Sequence, residues 1–460
     1  MRVLFATPEC APLTKTGGLG DVSAALPAAL RALGHDVRIL IPGYPAVLAG
    51  CPDARRVRSL TGPGLEAAVL ESGGFFIVDC PPLYRRDGGP YQDPGGADWP
   101  DNPLRFWLLC KAAALLAREW PADILHCNDW PTGLSPLFLS GKTTSVMTVH
   151  NLAFQGNFDA GWVAKLGLPP ESFTMAGAEF HGQLSFLKAG LAYADAITTV
   201  SPTYAREIQT PPFGCGLDGL LRQRAAALTG ILNGIDTEIW NPAKDEHLAQ
   251  RYDASTLGRK SLNKKELQRR LGLEPRADVP LLGVVSRLTH QKGIDLIAAA
   301  AEELVALPAQ LAVLGAGTRE YEEMFLKLKS KSIGVQIGFD EALAHLIEAG
   351  ADFFLMPSRY EPCGLNQMYS QRYGTPPVAR ATGGLADTIA DAETGFLFER
   401  AEPGALIAAV RRAAALWRDE PRRLAMQRAG MARDFGWARP ARRYAELYAR
   451  LAVDRPAAVP

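Results

Sequence analysis

Short apolar runs alternate with helical periodicities along nearly the whole chain, a pattern that predicts βαβ units and parallel sheets. Val3–Ala6 reads as a strand, Asp21–Leu33 as a helix closed by Gly34, and Val37–Ile41 as a strand stopped by Pro42. Asp123–His126, Ser145–Val149, Ala196–Val200 and Gly230–Leu232 are further strands, each running into polar residues. The theme then restarts, with a strand at Pro280–Val285 and a helix at Ile294–Leu304 behind a basic loop. Strands at Leu311–Leu314, Val335–Ile337, Asp352–Met356 and Pro377–Ala379 follow, with a helix from Gly364 to Tyr373. Residues 405–451 are mostly helical in pattern.

Between the two series lies a polar stretch, 237–279, read as a linker and a peripheral helix. The 460 residues exceed the ~250–300 at which single cores stop growing. The expected architecture is therefore α/β, with one Rossmann-like domain over 1–240 and a second over 241–440. A glycine phrase opens a helix in each: KTGGLGDV at 15–22 and ATGGLADT at 381–388.

Composition works mainly by exclusion. With 47% apolar and 21% charged residues the chain is globular, and Lys+Arg equals Asp+Glu at 49 each. No long-range field recruits nucleic acid or an anionic membrane, so a neutral polymer or small metabolite fits better as partner. The start, MRVLFATPEC, is cut by Pro8 and Glu9 and reads as a buried strand rather than a secretory leader. No run approaches the ~18 apolar residues of a membrane span. Seven scattered cysteines without a C-x-x-C pair argue against a disulfide framework or zinc site and for a reducing cytoplasm.

Glycines at a strand-to-helix turn let backbone N–H groups converge beside a helix start, a site for phosphate. Such turns lie at the carboxyl ends of parallel strands, where ligands bind. Plain tight turns are the competing reading for either phrase. Dinucleotide binding fits badly, since GLGDVS and GAGTRE both lack the third glycine of G-x-G-x-x-G. VVSRLTHQKG places Arg287 and Lys292 in one loop after a strand, where two cations can neutralise a diphosphate or simply lie exposed. Glu361 in SRYEPCGLNQ and His150 in TVHN stand at strand ends, suited to sugar hydroxyls, although a solitary strand-end histidine is commonly structural.

In order along the chain, KTGGLGDV, TVHNLAFQG, SFLKAG, VSPTYAREI, LNGID, VVSRLTHQKG, GAG, PSRYEPCGLNQMY and TGGLADT resemble bacterial glycogen synthases and the related plant starch synthases. The resemblance covers essentially the whole chain. It implies a GT-B fold, two Rossmann-like domains facing across a deep cleft, with a C-terminal helix over 441–460 returning to the first. It implies transfer of glucose from ADP-glucose to the non-reducing end of an α-1,4-glucan, with retention and without a metal or other cofactor. Carried over by motif, Lys15, Gly17 and Gly18 approach the donor from the first domain. Arg287 and Lys292 hold the diphosphate, joined by amides around Thr382, Gly383, Gly384 and Leu385. His150, Asn233 and Glu361 surround the glucose, with Cys363 and Gly364 beside Glu361. Asp129 matches the aspartate of the family's H-D-W-H segment.

That segment also departs from the pattern: HCNDWPTG has Asn128 and Pro131 where the family has histidines. The second glutamate of related retaining transferases is replaced by Tyr369. Tyr91, Trp99, Trp130, Phe154 and Tyr360 are candidates for stacking on sugar rings or for core packing. UDP-glucose as donor, an NAD-dependent oxidoreductase and a silent glucan-binding relative are the rival readings. Oligomeric state is not legible.

Overall fold

A computed structural model describes residues 1–62 and 64–453, and the chain forms two compact units. The first comprises Met1–Gly234 together with the chain from Trp437, and the second is Ile235–Gly436. The division falls before the expected 240 because the following segment is bound to the second unit. The Ile235 N–H donates to Phe435 O, and Trp240 is sandwiched between Tyr369 and His345 at ring separations of 3.7 and 3.9 Å.

The first unit is built on a nine-stranded sheet. In spatial order its strands are Leu228–Gly230, Ala196–Thr199, Thr144–Val149, Ile124–Asn128, Arg2–Ala6, Asp36–Pro42, Phe75–Asp79, Leu65–Ser72 and Arg55–Gly62. The first seven run parallel; the last two pair antiparallel. The strand expected at Gly230–Leu232 is displaced to Leu228–Gly230, the register that pairs Ile197 with Leu228.

One face of this sheet is covered by the helices Gly18–Ala32 and Ala438–Val453. Val3, Phe5, Leu26 and Leu30 pack with Tyr444, Leu447 and Tyr448. His126 anchors this helix. It is fully buried, with Nδ1 2.6 Å from Tyr448 Oη and Nε2 2.6 Å from Thr148 Oγ1. Burial holds its pKa down at about 3, so the ring is neutral. The tail beyond 453, part of the expected 441–460 segment, lies outside the described residues.

The second unit carries a six-stranded parallel sheet. Its spatial order is Ile333–Ile337, Gln310–Gly315, Leu281–Val285, Phe353–Met356, Pro377–Arg380 and Phe396–Phe398. Apolar clusters cover both faces, as expected of strands that are apolar throughout. The helix Lys260–Leu271, expected to be peripheral, is a packed element. Its Lys260, Asn263, Lys264, Leu267 and Gln268 are buried. The Lys260 ammonium donates to Thr375 Oγ1 at 2.7 Å and to the Ala349 carbonyl, which is how a charged sequence pattern hides a buried face.

Each sheet has one point where the strand order reverses, so that the connections leaving two neighbouring strands run in opposite directions. In the first unit it lies between Arg2–Ala6 and Ile124–Asn128; in the second, between Leu281–Val285 and Phe353–Met356. Strand ends diverge there, and the loops above them frame a crevice.

Candidate active site

In the first unit the chain leaves Arg2–Ala6 into a loop that re-enters a helix at Gly18. Two amides of this glycine phrase are already engaged. Thr16 N–H and Gly17 N–H donate to Glu9 Oε2 at 2.5 and 3.2 Å, and Tyr91 Oη donates to Glu9 Oε1 at 2.6 Å. Glu9 is buried, and desolvation raises its pKa despite these donors. Sequence reasoning took Glu9 only as an interruption of an apolar run; its placement a few residues before the glycines was the available signal. Lys15 stands outside this cluster, about half exposed, paired with Asp21 at 2.8 Å.

Asp129 follows the neighbouring strand, Ile124–Asn128, with φ +55° and ψ −178°, a backbone state that an aspartate tolerates at a cost. Its carboxylate accepts from His150 N–H at 2.7 Å and from the Asn151 N–H. Desolvation outweighs both bonds and raises its pKa to about 7. Asp129 and His150 thus lie side by side in the first unit.

The replacement of a histidine by Asn128 has a clear geometry. Asn128 Nδ2 donates to Ala6 O at 2.9 Å, which turns its Oδ1 toward His150 Nε2 at 3.0 Å. His150 is therefore protonated on Nε2 and keeps Nδ1 as an acceptor. Burial holds its pKa at about 3, leaving it neutral. Pro131 sits in the first turn of the short helix Trp130–Thr132, where a missing N–H costs little. Asn233, also in this unit, is buried with Oδ1 unpartnered among the described residues.

The aromatic candidates divide. Trp130 packs against Phe106, Phe158 and Phe186, and Tyr91 against Phe106 and Trp130, so both join one aromatic cluster while staying partly exposed. Phe154 is half exposed, and Trp99 lines a cavity.

In the second unit Arg287 and Lys292 occupy the loop after Leu281–Val285, and Glu361 the loop after Phe353–Met356, on the two sides of the switch point. Lys292 Nζ lies 2.6 Å from Glu361 Oε2, which also accepts from Ser358 Oγ at 2.9 Å. Glu361 is 4% exposed. Arg287 is exposed, and its guanidinium has no hydrogen-bond or ion-pair partner among the described residues. The two loops are tied by Arg359, bidentate to Asp295 at 2.6 Å per bond, with its N–H on Gln291 O.

The second glycine phrase wraps this centre. Gly383 has φ +45°, and a Cβ there would overlap the Glu361 carbonyl oxygen; a Cβ on Gly384 would overlap that of Cys363. Gly384 N–H donates to Glu361 O at 3.1 Å and Leu385 N–H to Thr382 O at 3.0 Å. These two amides, expected at a phosphate, are taken up internally because the turn closes on the backbone beside the glutamate. Gly364, at φ +71°, and buried Cys363 complete the wrap. The GAG stretch packs likewise: Gly315 and Gly317 abut the carbonyls of Ser286 and Leu288. Tyr369 stacks on Trp240 and fills its position with an apolar sandwich rather than a carboxylate.

Lys15, Gly17, Gly18, Asp129, His150 and Asn233 thus belong to the first unit; Arg287, Lys292, Glu361, Cys363, Gly364, Thr382, Gly383, Gly384 and Leu385 belong to the second. Among the described residues no His, Cys, Asp and Glu side chains form a group of three able to hold a metal ion. No helix among them is long and apolar enough to cross a membrane.

Comparison with known proteins shows the family. Residues 2–223 match the starch synthase catalytic domain family, and 267–431 match the glycosyl transferases group 1 family. The glycogen synthase of Aromatoleum aromaticum is 55% identical, covering 97% of this chain and 96% of its own. That of Nitrosomonas eutropha is 52% identical over 99% and 98%. Among solved structures, the catalytic domain of starch synthase IV from Arabidopsis thaliana, bound to ADP and acarbose, superposes with a TM-score of 0.87. It is 32% identical over 99% of each chain. With its two parallel-sheet units of GT-B type, the chain belongs to the glycogen synthase family of glycosyltransferases.

Proposed function

We propose that the chain transfers glucose from ADP-glucose to the non-reducing end of an α-1,4-glucan, with retention at the anomeric carbon and without a metal ion. The observation that carries the reading is the second unit's switch point. An unpartnered Arg287 stands in one loop with Lys292, and Lys292 is ion-paired to a buried Glu361. The ADP bound to the Arabidopsis starch synthase supports an adenine nucleotide.

Breaking the bond between glucose and diphosphate builds negative charge on the leaving oxygen and positive charge on the sugar. Arg287 and Lys292 act on the first, where one fixed donor typically contributes ~3–4 kcal/mol of barrier lowering. Lys15, exposed and paired with Asp21, is a mobile charge beside the first unit's glycine phrase. Glu361 faces the glucose with its charge balanced by Lys292. His150 Nδ1 and Asn233 Oδ1 offer acceptors to sugar hydroxyls. Asp129, fixed by two amides, orients the His150 backbone.

A diphosphate departs without protonation, so no carboxylate acid is required. In a same-face attack the departing phosphate oxygen takes the proton of the acceptor 4-hydroxyl as the new C–O bond forms.

The test is glucose incorporation into glycogen from ADP-glucose and from UDP-glucose, with and without EDTA, and the anomeric configuration of the first product by NMR. Faster transfer from ADP-glucose, undiminished by EDTA and giving an α-linkage, is expected. Preference for UDP-glucose overturns the donor assignment. A trapped glucosyl adduct on Glu361 or Asp129 overturns the same-face mechanism in favour of double displacement.

A further inference from the structure

Asn128 ends the strand Ile124–Asn128 beside the first unit's switch point, and it is fully buried. On one side its backbone pairs in register with Thr148, two residues before His150. On the other side Cys127 pairs with Ala6, the last residue of Arg2–Ala6. The side chain thus stands between two neighbouring strand ends and bonds to both. Nδ2 donates to Ala6 O at 2.9 Å, and Oδ1 lies 3.0 Å from His150 Nε2.

This amide has one orientation available. Turned over, it would set its oxygen against the Ala6 carbonyl with no hydrogen between them, and its NH2 against the ring. An amide nitrogen only donates and an amide oxygen only accepts, whereas the two nitrogens of a neutral imidazole exchange roles with the tautomer. Desolvation keeps His150 neutral, so one ring nitrogen alone carries a proton. The Ala6 carbonyl, a group that can neither titrate nor rotate, therefore decides through Asn128 which nitrogen that is. The main chain of His150 is fixed as well, its N–H donating to Asp129 Oδ1 at 2.7 Å. Consecutive residues at one strand end thus hold the backbone and the ring of the histidine. What is left over is Nδ1, without a partner among the described residues on a partly exposed side chain.

We propose that Asn128 is a positioning residue for glucosyl transfer: by keeping the His150 proton on Nε2, it commits Nδ1 to accept a hydrogen bond from one hydroxyl of the donor sugar. That the ligand is a sugar hydroxyl rests on the transferase reading; the tautomer does not. A ring with its proton on Nδ1 would present a donor at the same point, and the hydroxyl would have to turn its own proton elsewhere. A ring free to choose would divide between the two states, so the asparagine acts by preorganisation and touches no reacting atom.

Two measurements test this. In protein labelled with nitrogen-15 on its histidines, NMR reads which ring nitrogen of His150 is protonated, its signals being those lost in His150→Gln. Wild type without any donor is expected to show Nε2–H alone, and Asn128→Ala a mixture of both tautomers. Asn128→Leu, which keeps the branched shape without a donor or acceptor, is the second variant, and thermal melting checks that each folds. Steady-state transfer to glycogen is then compared for ADP-glucose and for analogues that each lack one glucose hydroxyl. Either variant is expected to lower kcat/KM for ADP-glucose by about 3- to 10-fold, the worth of one hydrogen bond. For the one analogue lacking the hydroxyl that faces Nδ1, wild type and variant are expected to be equally slow. A merely structural role would lower every donor alike, and that result overturns the proposal. A wild-type His150 carrying its proton on Nδ1 overturns it without any variant. If wild type transfers nothing from ADP-glucose, the donor reading fails while the NMR still judges the hold of Asn128 on His150.

Discussion

The two units carry nearly the same glycine phrase at equivalent turns and use it in opposite ways. In the first, the amides of Thr16 and Gly17 grip the carboxylate of Glu9, so two of the turn's donors are spent on the protein's own side chain. In the second, Gly383 and Gly384 let the turn press against the carbonyls of Glu361 and Cys363, and the charge stays on side chains, Arg287 and the Lys292–Glu361 pair. The first unit's centre is correspondingly muted: two neutral histidines and an aspartate whose pKa is raised to about 7. The lesson is that a glycine-rich turn specifies close approach, and what approaches is decided by the residues around it. A near-neutral centre suits hydroxyls; the cationic one suits a diphosphate.

The strongest way to break this contrast is to remove charge from the second unit. Lys292→Ala and Glu361→Ala are each expected to lower kcat by about 10²–10³-fold. Lys292→Ala also costs about 3–5 kcal/mol of stability, because it strands Glu361. Radiolabelled glucose incorporation and urea melts measure the two effects; wild-type turnover in Glu361→Ala removes that residue from the site.

Next comes alanine at each glycine phrase. Gly383→Ala places a Cβ against the Glu361 carbonyl at a positive φ and is expected to destabilise by roughly 3 kcal/mol or more while abolishing activity. Gly17 has φ −158° and open space around its Cβ position, so Gly17→Ala stays within about 0.5 kcal/mol. Equal losses would erase the distinction between the turns.

A pH series sharpens the picture of the first unit. His126 and His150 have folded pKa values near 3, below their unfolded values, so their contribution to stability is lost as pH falls through ~6.5 toward 3. Asp129 is raised instead, so its contribution to stability declines as pH rises from ~4 to about 7 and opposes the histidines. Asp129→Asn is expected to steepen the acid loss by about 1.4 kcal/mol per pH unit between pH 4 and 6.5, read from urea melts. Glu9→Gln is expected to cost about 1–2 kcal/mol of unfolding free energy in the same melts, less than Gly383→Ala and more than Gly17→Ala, from weakening charge-assisted bonds to two amides.

Much of the fold was legible because buried parallel strands are apolar throughout and their ends are marked by polar words such as NDWP, HN and SRYEP. The hairpin Arg55–Gly62 and Leu65–Ser72 was not, since its charged residues mask an edge with one covered face. The helix Asn102–Glu119 was missed for the opposite reason: Phe106 to Cys110 are all buried, leaving no one-sided stripe to read. In the candidate site, the residues named from the sequence were those adjacent to a glycine, a strand end or a family word. Glu9 escaped, and Asn128 was named only as a departure from the family's segment, because each acts through a partner distant in sequence. Glu9 reaches Tyr91, and Asn128 bridges Ala6 to His150.

The imidazole of His126, clasped by Tyr448, has a consequence for biosynthesis. Tyr444 and Tyr448 complete an apolar layer begun by Val3 and Phe5, yet the ribosome adds them only after all of Ile235–Gly436. The contiguous portion can mature during translation, whereas the one begun first must wait with a layer uncovered until that late segment emerges.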